Sequence, residues 1–174
     1  TTASAWQQLT KFLWPEVHKW VPRLRWDVIG RPPYKQKAEI LDLSIKLGTG
    51  SAFAIASDKP TSIEGAHGDH MLYLFDESKA IPDAIFASAE GAFSTKTNIW
   101  AVAFSTPGDK SGRFYRIQTK QPGYQDWWVR HVTMQECIAA GRMSQEWADR
   151  RKEQWGEDSA MYIGRVLGNF ADAK

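Results

Sequence analysis

Apolar residues at Ala5, Trp6, Leu9, Phe12, Leu13, Val17 and Trp20 recur at helical spacing, so the opening segment reads as one amphipathic helix. Pro15 lies inside that pattern, lacks a backbone donor, and is expected to kink or end the helix near Trp14. Pro22, Pro32 and Pro33 mark a breaker-rich stretch from which strands can start but long helices cannot. In EILDLSIKL, residues 39–47, apolar and polar side chains alternate as in a half-buried strand. GTGSAFAIAS, residues 48–57, adds turn glycines and a second strand, and the two together predict an antiparallel hairpin.

MLYLF (71–75) and IWAVAF (99–104) have no polar face. Strands of this kind belong in sheets covered by helices on both sides, which favours a parallel α/β arrangement. Between them, IPDAIFASAEGAF places Pro82 and Asp83 at a helix start, Ile85, Phe86 and Ala89 on an inward face, and Gly91 at the stop. A strand, helix, strand unit implies a right-handed crossover that brings both strand ends to one sheet edge. Beyond Pro107 the pattern reads as a loop followed by a strand-like WWVRHV. The remainder is helical: Thr133 and Glu136 form a capping pair for a helix that stops at Gly141, Ser144 caps the next, and DSAMYIGRVLGNF makes a third.

A chain of 174 residues is long enough for one compact domain, and 43% hydrophobic with 24% charged residues excludes disorder and coiled coil. No apolar run approaches the roughly 20 residues that span a bilayer, and TTASAWQQL lacks the regions of a signal peptide, so a cytosolic setting is expected. The net charge of +2 names no partner, although residues 21–37 hold five basic residues and one acid. Cys137 stands alone and reads as a packing residue. Trp127, Trp128, Trp147 and Trp155 read as filling a helix-to-sheet core.

Ligands of α/β sheets collect beyond the carboxyl ends of the strands. Asp76 and Glu77 stand there, and two adjacent acids after an apolar strand are costly unless a cation or a reacting group uses them. Nucleotide hydrolysis uses such a pair: the first acid holds magnesium, directly or through water, and the second orients and deprotonates the attacking water. Ser105 and Thr106, ahead of Pro107 and Gly108, bring hydroxyls to the same edge, where they can sense a terminal phosphate. Two other readings stay open. Asp76 and Glu77 together with the segment His67–His70 would make a metal-dependent nuclease or phosphatase site. The basic stretch 21–37, with Trp26 and Tyr34, would make a noncatalytic DNA-binding module.

TTASAWQQLTKFLW, then SIEGAHGDHMLYLFDESKAIPDAIFASAEGAF, then AVAFSTPGDKSGRFYRI resemble the ATPase domain of the phage and prophage terminase large subunit family, the DNA-packaging motor. The matching positions are Trp6 and Gln7, Gly65 and His67, Asp76 and Glu77, Ser105, Thr106 and Pro107, and Gly112, Phe114 and Tyr115, densest between Ser62 and Ile117. The resemblance implies a P-loop NTPase-like α/β fold with a mostly parallel sheet over residues 1–132, and a helical subdomain over 133–174 leading toward a nuclease domain. It implies ATP and magnesium as cofactors, Asp76 on the metal through water, Gln7 near the nucleotide, Glu77 as the activating acid, and Ser105 and Thr106 as coupling residues. Implied partners are double-stranded DNA, the small subunit and the portal protein, with a homo-oligomeric ring working in the host cytoplasm. One departure is plain: no G-x-x-x-x-G-K-[ST] occurs in the sequence. In the family that loop lies upstream of the segment matching TTASAW, so it is expected before Thr1, and these residues alone are expected to be inactive.

Overall fold

The computed structural model describes residues 2–3, 6–31, 35, 37–48, 50–56, 63, 68–94 and 98–172. These fall into two units: one runs to Asp76 and adds Ala84–Ala103, the other joins Glu77–Asp83 to the chain from Phe104 onward. The strands are β1 (Thr2–Ala3), β2 (Ile40–Leu41), β3 (Ser44–Leu47), β4 (Gly50–Phe53), β5 (Ile55–Ala56), β6 (Met71–Asp76) and β7 (Ile99–Phe104).

In the first unit the main sheet has the order β5-β1-β6-β7. β1 runs parallel to both neighbours, with Ala3 in register with Ala56 on one side and Asp76 on the other. The N–H of Met71 donates to the carbonyl of Asn98 at 3.0 Å, start against start, so β6 and β7 are parallel as expected. The helix Asp83–Gly91 joins them and buries Ile85, Phe86 and Ala89, the three residues its pattern assigned inward. Tyr73 and Phe75 of β6 face it, with the Phe75 and Phe86 rings 4.5 Å apart. The other face departs from expectation. Leu72 is 58% exposed and Trp100 69% exposed, so among the described residues only one face of these apolar strands is covered.

The N-terminal helix passes through Pro15 instead of stopping. It starts over Trp6–Gln8, widens to a π-type turn over Leu9–Leu13, and continues as α-helix over Trp14–Trp20. In the wide turn the N–H of Trp14 reaches back five residues to the carbonyl of Leu9. The hydrogen-bond register therefore changes at the step where Pro15 has no N–H to give, and the proline becomes the start of the following segment. Leu9 and Trp14 bury their side chains with Leu13, Val17, Leu43, Ile45 and Ala54 packed on them.

The expected single strand over 39–47 is instead a tight hairpin, β2 against β3, with Ile40 opposite Ile45 and Leu41 opposite Ser44. β3 then pairs with β4, and the chain changes sheets at Ala54, so β5 joins the main sheet instead of extending the hairpin. The alternation was real, but a period of two does not reveal a reversal at Asp42 and Leu43.

The second unit is helical. Gly112–Gln118 is a helix where a loop was expected, and it buries Phe114 and Ile117, three residues apart on one face. Residues 127–132 form no strand, and Trp128 is 81% exposed. Trp147 and Trp155 pack with Met134, Met143 and Leu167 around Ala148, Tyr162 and Val166, which makes a helix-to-helix core and not the expected helix-to-sheet one. Two N-termini match the sequence: Thr133 and Glu136 make a capping box for Met134–Ala139, and Ser144 caps Gln145–Trp155. The third helix, Ala160–Tyr162, is capped by Ser159, which the sequence reading did not name, and runs on as a π-type turn over Ile163–Leu167.

The capping box carries a pH dependence. The Arg130 guanidinium, then the Thr133 backbone and hydroxyl, hold the Glu136 carboxyl down at about 2, below its ordinary 4.5. A depressed acid contributes stability that is fully present above its unfolded value and is lost as pH falls through the folded one. Acidification from 4.5 toward 2 should therefore weaken the Met134–Ala139 helix, measured by amide exchange of its first turn, and Glu136→Gln should remove that dependence.

Candidate functional site

β6 ends at Asp76, and the next residue turns the chain out of the strand. Glu77 adopts the left-handed backbone conformation, with φ of 49° and ψ of 47°, ahead of a 3₁₀ turn over Ser78–Ala80. For a residue with a Cβ this conformation costs about 1–2 kcal/mol, a strain that persists only where surrounding contacts over-determine it. Ser78, 1% exposed, anchors the turn in the second unit.

Two hydrogen bonds tie this turn to the segment after β7. The hydroxyl of Ser105 donates to Oε2 of Glu77 at 3.3 Å, and Nζ of Lys79 donates to Oγ1 of Thr106 at 2.7 Å. The Lys79 stem also lies against Gly108, where an added Cβ would stand 3.1 Å from Cδ of the lysine. The acid and hydroxyl that the sequence singled out are thus brought together, and a lysine that sequence reasoning overlooked holds the second hydroxyl. Its signal was available: Lys79 follows Glu77 by two residues in DESKA.

Beyond the hydroxyls the segment is held again. The N–H of Lys110 donates to the carbonyl of Ala171 at 3.0 Å, that of Ala171 to the carbonyl of Gly108 at 3.2 Å, and Lys110 pairs with Asp172 at 2.8 Å. Phe170 meets the ring of Tyr115 edge-on at 5.0 Å. Arg116 forms an ion pair with Asp83.

Asp76 and Gln7 belong to the first unit. Asp76 closes β6 opposite Ala3, and Gln7, exposed, follows Ala3 by four residues in the turn Trp6–Gln8. The donor set suits magnesium chemistry in kind, since a strand-end carboxylate is the hard oxygen ligand that this ion takes along with water and phosphate. The other metal reading gains no support: among the described residues no group of three His, Cys, Asp or Glu is placed to hold a metal, and His67 lies outside them. In the basic stretch, Trp26 is buried at 7% exposure and is not available to stack on a base, while Tyr34 lies outside the described residues. Among the described residues no helix is long and apolar enough to cross a membrane.

The strain at Glu77 is measurable. Glu77→Gly should unfold at higher urea than Glu77→Ala, by about 1 kcal/mol, because only glycine relieves the left-handed backbone. Lys79→Met and Gly108→Ala should each speed amide exchange over 105–108, the first by removing the donor to Thr106 and the second by displacing the lysine stem.

No family model matches the chain. A probable terminase large subunit of Enterobacteria phage P7 is 28% identical over 112 residues, 63% of this chain and 22% of that protein. The large terminase of a thermophilic bacteriophage, solved in complex with ADP, superposes with a TM-score of 0.63 over 98% of this chain and 39% of that one, at 13% identity. A second crystal form of the same phage terminase gives 0.61. The chain spans about a fifth of the curated relative and two fifths of the solved structure. It is a relative of phage terminase large subunits, alike in sequence over those 112 residues and in fold over nearly its whole length.

Proposed function

We propose that this chain forms part of an ATP-driven motor that packages double-stranded DNA, with Glu77 as its water-activating acid. The observation that carries the proposal is the strained turn at Glu77 whose carboxylate accepts a hydrogen bond from Ser105. A carboxylate held through one oxygen keeps a fixed orientation, which general-base action on a water requires. Asp76, one residue earlier at the end of β6, would hold magnesium through water. Bound magnesium nucleotide would supply the electrophilic phosphoryl group and spread its charge. Ser105 and Thr106 connect the acid turn to the segment 107–110, so a change at Glu77 has a route to the second unit's tail. Gln7 is assigned to nucleotide contact on the resemblance alone.

The finer picture is a P-loop NTPase-like sheet, with residues 1–132 as the partial ATPase region and 133–174 as a helical subdomain. The parallel order β5-β1-β6-β7 and the ADP in the solved phage terminase support it. The phosphate cradle of such a site is not encoded in these 174 residues, which lack the Gly-rich loop with its lysine. Duplex DNA, the terminase small subunit, the portal protein and a homo-oligomeric ring in the bacterial host cytoplasm complete the proposal as partners and setting.

In a protein that includes the cradle, Glu77→Gln should lower ATP turnover by about a hundredfold or more while nucleotide binding, followed by a fluorescent analogue, is retained. The 174 residues by themselves should show no turnover. Turnover by them that Glu77→Gln abolishes would overturn the assignment of the cradle to another segment, and unimpaired turnover of the variant longer protein would overturn the role of Glu77.

A further inference from the structure

The small net charge conceals an uneven distribution. Residues 1–37 hold seven lysines and arginines against Glu16 and Asp27, a surplus of five, whereas residues 38–174 carry an excess of three acids. The structure lays part of this surplus along the solvent side of the N-terminal helix and its last turn. Lys11, Lys19 and Arg23 are all exposed, and the Arg25 side chain just beyond is 78% exposed. At about 1.5 Å per residue, Lys11 to Arg23 covers about 18 Å, a row and not a point.

Aromatic rings share this side. Phe12 is 69% exposed and Trp20 54% exposed. The Arg23 guanidinium lies 5.0 Å from the Trp20 ring centroid and the Lys19 ammonium 5.7 Å, so two cations hold the indole against the helix. The one acid in the row is already committed. Glu16 accepts from Lys19 at 3.1 and 3.0 Å and from Nε1 of Trp20 at 3.1 Å, and these bonds hold its carboxyl below the usual range. Arg25 pairs with the similarly exposed Asp27 at 3.5 Å, and among the described residues no carboxylate stands within ion-pair distance of Arg23.

We propose that this side of the N-terminal helix, with the turn carrying Arg25, docks on the phosphate backbone of duplex DNA. Lys11, Lys19, Arg23 and Arg25 meet phosphates, and Trp20 packs on the adjoining sugars. Contacts to phosphate and sugar carry no sequence information, so the contact is independent of sequence, and Trp26, being buried, adds no base stacking. The choice of DNA as the polyanion rests on the packaging proposal above; the cationic row does not.

The test is fluorescence anisotropy of a labelled duplex with the 174-residue chain, without nucleotide, over a range of salt. Each phosphate contact contributes about 0.9 to the slope of log affinity against log salt. The triple variant Lys11→Ala, Arg23→Ala, Arg25→Ala should flatten that slope by about 2.7 and weaken binding by more than about tenfold at about 0.1 M salt. Glu16→Gln, which releases Lys19 and removes the one acid, should tighten binding about two- to threefold. Arg142→Ala with Arg165→Ala, exposed in the other unit, should change nothing, and thermal melts check that each variant folds. An unchanged slope in the triple variant, an equal loss in the control pair, weakening by Glu16→Gln, or tighter binding to phosphatidylserine vesicles than to the duplex would each overturn the proposal. Because no nucleotide is present, failure of the hydrolytic role at Glu77 leaves this measurement untouched, and the reverse holds too.

Discussion

The stacking of Phe75 on Phe86 is the contact from which the placement of the acids follows. Both side chains are 1% exposed with ring centroids 4.5 Å apart, and removing either ring would cost about 3–5 kcal/mol. That burial pins the end of β6 to the helix Asp83–Gly91, with Tyr73 stacked next to it at 6.2 Å. With Phe75 committed inward, Asp76 completes the strand against Ala3 and the chain has a single residue in which to leave the sheet. Glu77 makes that exit, and its left-handed backbone is the local consequence of a strand held firmly up to the previous residue.

The strand, helix, strand unit was legible because β6 and β7 are short unbroken apolar runs, the helix between them follows a helical period, and Pro82 and Gly91 punctuate it. The capped helices of the second unit were legible too: Thr133 and Ser144 act through local chemistry that needs no knowledge of the rest of the fold. Elements decided by distant contacts were not. β1 is two residues long and exists because β5 and β6 flank it, and no periodicity can be read from Thr2 and Ala3. The helix Gly112–Gln118 has only Phe114 and Ile117 as buried anchors, too short a pattern to separate from a loop. Trp128 shows the opposite failure, since hydrophobicity alone suggested burial and the fold left it in water.

At the site, the sequence pointed to Glu77 and Ser105 by their positions after two apolar strands, and the geometry joins them. It did not point to Lys79, whose part depends on a hydroxyl 27 residues away, nor to the clasp between Gly108–Lys110 and Ala171. Residues 105–110 are consequently bonded at both ends within the second unit. A short extended segment tied in this way has little freedom to relax locally, so displacement of one end is passed to the other. That is a mechanical property of the hydrogen-bond pattern and does not require a dedicated route of residues.

The widened turn at Leu9–Leu13 carries an evolutionary corollary. A π-type turn holds one residue more than an α-turn, so loss of one codon there would close it to a regular α-turn while the helix beyond keeps its orientation. Trp14 would keep its buried place, but the ring of Pro15 would be driven against the carbonyl four residues earlier. The order of loss therefore matters: a lineage can shed the proline first at little cost, but shedding the extra residue while Pro15 remains costs about 3 kcal/mol.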